Sequence, residues 1–133
     1  NPNADIYLLE RSIFTDRYVF VEMLRERIGN VRYNMYVYWW DMWFRLMPFN
    51  ITNWVFLDTS VDVAQKRICI RDRKEETGVN AEYQMQLLDA HHKFYDKLKT
   101  DGKKTNIIGA ELMNDNIYEN PDVLDKIMQQ LDN

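Results

Sequence analysis

Apolar residues in this chain fall into short blocks and longer helical stripes, alternating along its length. Ile6-Tyr7-Leu8-Leu9 is a continuous apolar run of strand length, as found where a parallel sheet is covered on both faces. Ser12 or Thr15 then offers an N-cap for a helix carrying Ile13, Phe14, Tyr18, Met23, Leu24 and Ile28, and Gly29-Asn30 supplies a stop. A second helix is predicted over 31–47, ended by Pro48. Tyr33, Tyr36, Val37, Trp40, Trp43, Phe44 and Met47 form one broad side of it. Tyr38 and Trp39 widen the apolar surface to most of the circumference, the pattern of a buried helix, here between subunits.

Trp54-Val55-Phe56-Leu57 is predicted as a second strand, running into the polar Asp58-Thr59-Ser60. A helix starts near Val61 and carries Val63, Ala64, Arg67, Ile68 and Arg71. Charges crowd from Arg71 to Glu76 before Thr77-Gly78 breaks the run. A long amphipathic helix follows over about 81–99, with Tyr83, Leu87, His91, Phe94 and Leu98 down one face. Asp101 to Lys104 forms a turn, Asn106-Ile107-Ile108-Gly109 a third strand, and a last helix opens on Pro121 and runs to Leu131. Strands spaced by helices predict an α/β fold with a parallel sheet and right-handed crossovers. The chain opens on Asn1-Pro2-Asn3-Ala4 and enters a strand almost at once, so it is read as one α/β domain that is not complete.

Composition narrows the partners. The 133 residues suit a single core, and 46% hydrophobic with 29% charged residues is ordinary for a folded chain. Aromatics reach 14% and most precede residue 60, which argues for a thick core or a subunit interface. A net charge of −4 speaks against a nucleic acid polymer or an anionic membrane as partner, so any anion site is local. One cysteine, Cys69, excludes an intrachain disulfide and suits a reducing compartment such as the cytoplasm; between apolar neighbours in a helix, it is expected to be inert. No apolar run approaches the ~18 residues of a membrane span.

Two constellations carry chemistry. In open α/β sheets ligands sit beyond the carboxyl ends of strands. Glu10-Arg11-Ser12 occupies such an end, where the acid suits a metal ion and the guanidinium a phosphate. The same three residues also suit a strand terminus made soluble by charge. The second constellation is Lys66, Arg67, Arg71, Arg73 and Lys74. Arg67 and Arg71 lie four apart on one helix face, and with Arg73 they can clamp a triphosphate. The alternative is a solvated basic face balanced by Asp72, Glu75 and Glu76 through pairs worth ~0.5 kcal/mol each. His91 reads as a packed core histidine and His92 as outward-facing, with no spacing that suggests zinc.

Leu8 to Phe20, around Glu10-Arg11-Ser12-Ile13-Phe14-Thr15-Asp16-Arg17-Tyr18, resembles the signature of the deoxynucleoside kinase family that includes deoxycytidine and deoxyguanosine kinases. Arg67-Ile68-Cys69-Ile70-Arg71-Asp72-Arg73-Lys74-Glu75-Glu76-Thr77-Gly78 resembles that family's arginine-rich lid, in register. Tyr36, Trp39 or Trp40, Tyr83 and His91 also fall where the family has similar residues. The likeness covers Ile6 to about Leu98 well and the tail loosely. It implies a P-loop-kinase-like parallel sheet flanked by helices, acting on a deoxynucleoside with ATP and Mg2+, in a homodimer. Glu10 would help hold the magnesium ion, and Arg11 would contact the phosphate region. Asp16 would face the nucleobase, an aspartate at this position going with deoxycytidine and purine deoxynucleosides in that family, and Phe20 would pack against it. Arg67, Arg71 and Arg73 would close over the phosphoryl group, Glu76 would bond the sugar 3′-hydroxyl, and Asn116 and Ile117 would lie near the adenine of ATP. On the residues alone, Phe20 also reads as core, Asp16 as a helix-start carboxylate, and Glu76 as a partner of Lys74 or Arg73.

The family also needs a Gly-rich phosphate loop and a catalytic glutamate. None of the four glycines lies in a G-x-x-x-x-G-K-S/T run, and Gly102-Lys103-Lys104-Thr105 is a turn. The expectation is therefore the carboxyl-terminal portion of a kinase domain, without its N-terminal strand and P-loop, and inactive by itself. A nucleoside monophosphate kinase of thymidylate type, and a non-catalytic assembly remnant of the fold, are the competing readings.

Overall fold

The computed structural model describes residues 9–47, 51–109, 125 and 129. The chain folds as two compact units, Asn1–Pro48 and Phe49–Asn133. The strand expected over Ile6–Leu9 lies mostly outside the described residues, as does the last helix, of which Asp125 and Gln129 are helical. Leu9 itself is irregular and exposed.

In the first unit Ser12, not Thr15, is the cap. Its hydroxyl accepts from the Phe14 amide at 3.3 Å and opens α1, Ile13–Thr15. The backbone then widens into a π-helical turn over Asp16–Phe20, closed by the Val21 amide on the Asp16 carbonyl, before α2, Val21–Leu46. Gly29 ends the first helical arm, as expected. It sits at φ 78° and ψ 158°, a conformation open to glycine alone, and the chain re-enters helix directly beyond it. α2 is thus two arms joined at a sharp kink.

The two arms meet along one face of the second. Tyr33 and Trp40 are buried there with Thr15, Val19 and Val21. Trp40 stacks on Phe44 at 5.0 Å, and Phe14 meets both rings edge-on, at 5.7 and 5.5 Å. The rest of the broad apolar surface is exposed within this unit, at Val31, Met35, Tyr38, Trp39, Met42, Trp43 and Leu46. Among the described residues of this unit, the packed side is the one facing α1 and the π-turn.

In the second unit β1, Trp54–Asp58, pairs in parallel with β2, Thr105–Gly109, with Trp54 opposite Thr105 and Asp58 opposite Gly109. α3, Val61–Arg71, and α4, Ala81–Thr100, form the crossover, as the strand–helix alternation predicted. Caps set their starts: Ser60 accepts from the Val63 amide at 3.4 Å and Asn80 from the Tyr83 amide at 2.8 Å. Trp54 and Phe56 alternate inward onto α4, where Trp54 meets Phe94 edge-on at 5.5 Å and Phe56 stacks on His91 at 5.7 Å. Val55 and Leu57 lie on the opposite, exposed face, so the apolar run is covered on one side only by the described residues. Cys69 is exposed on α3, so burial does not shield its thiol.

Candidate functional site

Four of the residues singled out in the sequence, Glu10, Arg11, Asp16 and Phe20, lie in the first unit. Glu10 and Arg11 precede the Ser12 cap, both exposed. Arg11 holds φ 60°, a left-handed backbone costly for a non-glycine residue and concentrated where geometry serves a site. Its guanidinium lies 5.3 Å from the centre of the Phe20 ring. The backbone thus joins the arginine of Glu10-Arg11-Ser12 to the aromatic residue expected against a nucleobase.

Asp16 begins the π-turn and accepts a hydrogen bond from the Tyr36 hydroxyl, on the second arm of α2. Burial and this carboxylate both push the Tyr36 phenol well above its ordinary range, so it remains a neutral donor. Beside it Arg17 pairs with Glu22 at 2.6 Å, and Glu22 also accepts from Tyr33 at 2.5 Å. Residues five apart point away from each other on an α-helix, and the wider π-turn brings these two together. Burial alone would raise the Glu22 carboxyl. The bonds from Tyr33 and Arg17, with the charges of Arg17 and Arg25, outweigh burial and hold it below its usual value. This network was not legible in the sequence. The i, i+3, i+7 spacing of Tyr33, Tyr36 and Trp40 was the available signal, since it aligns three donors on one face.

The second unit carries the arginines. Arg67 is half-buried on α3, and Arg71 closes that helix. Asp72 follows in the left-handed conformation at φ 47° and turns the chain, so that Arg73 opens a 3-10 turn over Lys74–Glu76. The turn brings Glu76 back onto Arg71, with Nη2–Oε1 2.6 Å and Nε–Oε2 3.0 Å. Glu76 therefore pairs with Arg71, not with Lys74 or Arg73. At the carboxyl end of β1, His92 lies 3.1 Å from Asp58 and edge-on to Phe56. Asn116 and Ile117 lie outside the described residues.

With this geometry in view, the comparisons with known proteins decide the family. A sequence model of the deoxynucleoside kinases matches residues 2–133. The chain belongs to the deoxynucleoside kinase family. A probable deoxycytidine kinase of fowlpox virus is 33% identical over 96 residues, which are 71% of this chain and 41% of that relative. The mitochondrial thymidine kinase 2 of Macaca fascicularis is 32% identical and that of Homo sapiens 31%, each over 71% of this chain and 35% of theirs. This deoxynucleoside kinase chain therefore spans about two fifths or less of the length of these relatives. No described helix is long and apolar enough to cross a membrane.

Magnesium keeps most of its waters and takes one or two protein carboxylates beside substrate phosphates, so the single exposed carboxylate of Glu10 suits it. No cluster of three or more metal-ligating side chains forms among the described residues. The Arg71 fork already holds a planar oxyanion side-on, that of Glu76, the geometry in which guanidinium groups take phosphate.

Proposed function

We propose that the protein phosphorylates the 5′-hydroxyl of a deoxynucleoside with Mg·ATP, deoxycytidine or a purine deoxynucleoside being favoured. The observation that carries this reading is the side-on engagement of Glu76 by Arg71 where α3 ends, in a chain of the deoxynucleoside kinase family. It supports a cationic fork at the segment that resembles the family's lid. Mg·ATP supplies the transferred phosphoryl group. Glu10 offers a carboxylate oxygen to the cation, and Arg11 faces the phosphates. Arg67, Arg71 and Arg73 neutralise charge on the phosphoryl oxygens, where positioning and electrostatics do most of the catalysis. Asp16 receives donors from the base edge, Phe20 lies against its face, Glu76 accepts from the 3′-hydroxyl, and Asn116 and Ile117 line the adenine side. Residues 1–133 form one part of a single kinase domain and do not turn over alone. A homodimer through α2 belongs to the same proposal, supported by the exposure of Val31, Met35, Tyr38 and Trp39.

The relatives bear the names of both deoxycytidine and thymidine kinases, so the choice of base is what the experiment must separate. The full-length protein is incubated with Mg·ATP and each deoxynucleoside in turn, then with deoxynucleoside monophosphates. The expected product is a 5′-monophosphate, formed faster from deoxycytidine or a purine deoxynucleoside than from thymidine. Turnover of monophosphates only would replace this reading with a nucleotide kinase, and no turnover at all with an assembly role.

A further inference from the structure

Three side chains on one face of the second arm of α2 donate hydrogen bonds to the segment before Gly29, in antiparallel order. Tyr33 reaches Glu22 at 2.5 Å, Tyr36 reaches Asp16, and the Trp40 indole reaches the Ile13 carbonyl at 3.1 Å. The outer two rungs are explained by packing. Tyr33 and Trp40 are buried, and an unpaired hydroxyl or indole N–H there would be costly.

The middle rung differs. Asp16 is exposed, and water would satisfy its carboxylate without help. No cation pairs with it among the described residues, whereas Glu22, one rung away, is paired with Arg17 at 2.6 Å. The Tyr36 bond falls on Oδ2. Nothing else among the described residues bonds to this carboxylate. The bond satisfies the half-buried Tyr36 hydroxyl, but the carboxylate that accepts it is exposed and does not need it. The effect of the bond is to stop the carboxylate rotating and to fix which oxygen is presented.

We infer that Tyr36 is a positioning residue that determines specificity, its hydroxyl orienting the Asp16 carboxylate toward a ligand edge that carries hydrogen-bond donors. This rests on the reading of Asp16 as the base-facing residue. An ionised carboxylate with one oxygen committed can only accept, so it suits the amino edge of cytosine or adenine, or the N1–H and amino group of guanine. The carbonyl that thymine presents at the corresponding position is repelled. Without Tyr36 the carboxylate rotates freely, and both the binding and the discrimination it provides weaken.

The test is steady-state kinetics on the full-length protein with deoxycytidine and thymidine, for Tyr36→Phe, Asp16→Asn and the double variant. Tyr36→Phe keeps the ring and its packing. It is expected to raise KM for deoxycytidine roughly tenfold, the scale of one hydrogen bond to a charged group, with kcat within about twofold and the melting temperature unchanged. The preference for deoxycytidine over thymidine falls with it. In the Asp16→Asn background the same change adds little, because the group it orients has lost its charge. An unchanged KM and preference in Tyr36→Phe, or full additivity in the double variant, would overturn the inference while leaving the role of Asp16 intact. If Asp16→Asn itself alters neither KM nor preference, the reading of Asp16 falls, and the role of Tyr36 with it.

Discussion

Arg71 grips Glu76 side-on, with Nη2 2.6 Å from one carboxylate oxygen and Nε 3.0 Å from the other. The same planar edge is what a phosphate would need, so the carboxylate holds the fork in the shape of its proposed ligand. Arg71→Ala is expected to lower kcat of the full-length protein by at least about 100-fold, the scale of one electrostatic donor to a transition state. KM for the nucleoside should stay within about threefold. A kcat close to wild type would remove Arg71 from the reaction. Stability should barely change, since exposed pairs of this kind contribute about 0–1 kcal/mol.

Gly29 is expected to be intolerant for a reason unrelated to space. A Cβ there would meet nothing within 4 Å, yet φ 78° with ψ 158° is a glycine conformation. Gly29→Ala should cost about 1–3 kcal/mol in thermal unfolding. Gly78→Ala, also with open space and without a positive φ, is the control and should be near neutral. Equal losses at both positions would refute the backbone account.

Trp39 and Trp40 are adjacent in sequence and opposite in consequence. Trp40 is 6% exposed and carries a hydrogen bond, and Trp39 is 54% exposed. Trp40→Ala should cost about 3–5 kcal/mol, as for other buried tryptophans. Trp39→Ala should leave the melting temperature nearly unchanged and show itself, if two copies associate there, in sedimentation.

Acid should act on the first unit through Glu22. Its folded carboxyl titrates below its ordinary value, so its contribution is fully present above the unfolded value of about 4.3 and is lost as pH falls through the lower folded value. Glu22→Gln should therefore flatten the acid limb of a stability–pH curve and leave the neutral limb sloping as before. An unaltered acid limb would show that Arg17 and Tyr33 do not favour the charged form.

Residues 1–133 alone, mixed with Mg·ATP and deoxycytidine, should give product no faster than a blank. Turnover well above blank would show that a phosphate loop of the G-x-x-x-x-G-K-S/T kind is dispensable.

The second unit was legible because local signals agreed with one another. Ser60 and Asn80 cap where the polar residues stand, Thr77-Gly78 breaks the charged run, and β1, α3, α4 and β2 begin and end within a residue or two of their apolar patterns. The first unit was less legible, since a π-turn leaves no trace in propensity, although the break at Gly29 was read correctly. Partner choice failed for a related reason: spacings of five, as in Arg17–Glu22 and Arg71–Glu76, do not share an α-helical face and need a widened turn or a left-handed residue to close. The apolar breadth of α2 was legible as composition, but hydrophobicity records what a surface can cover and not what covers it, and within this unit much of it is exposed.

Parallel pairing of Trp54 with Thr105 also has a kinetic consequence. The chain must carry both α3 and α4 around before the first ladder bond forms, so loop-closure entropy is lost before any contact between the strands returns it. Local steps, the helices and their caps, can precede this one. The arginines at the end of α3 ride on the loop being closed, so the charged segment is carried along by the same closure that pairs the strands.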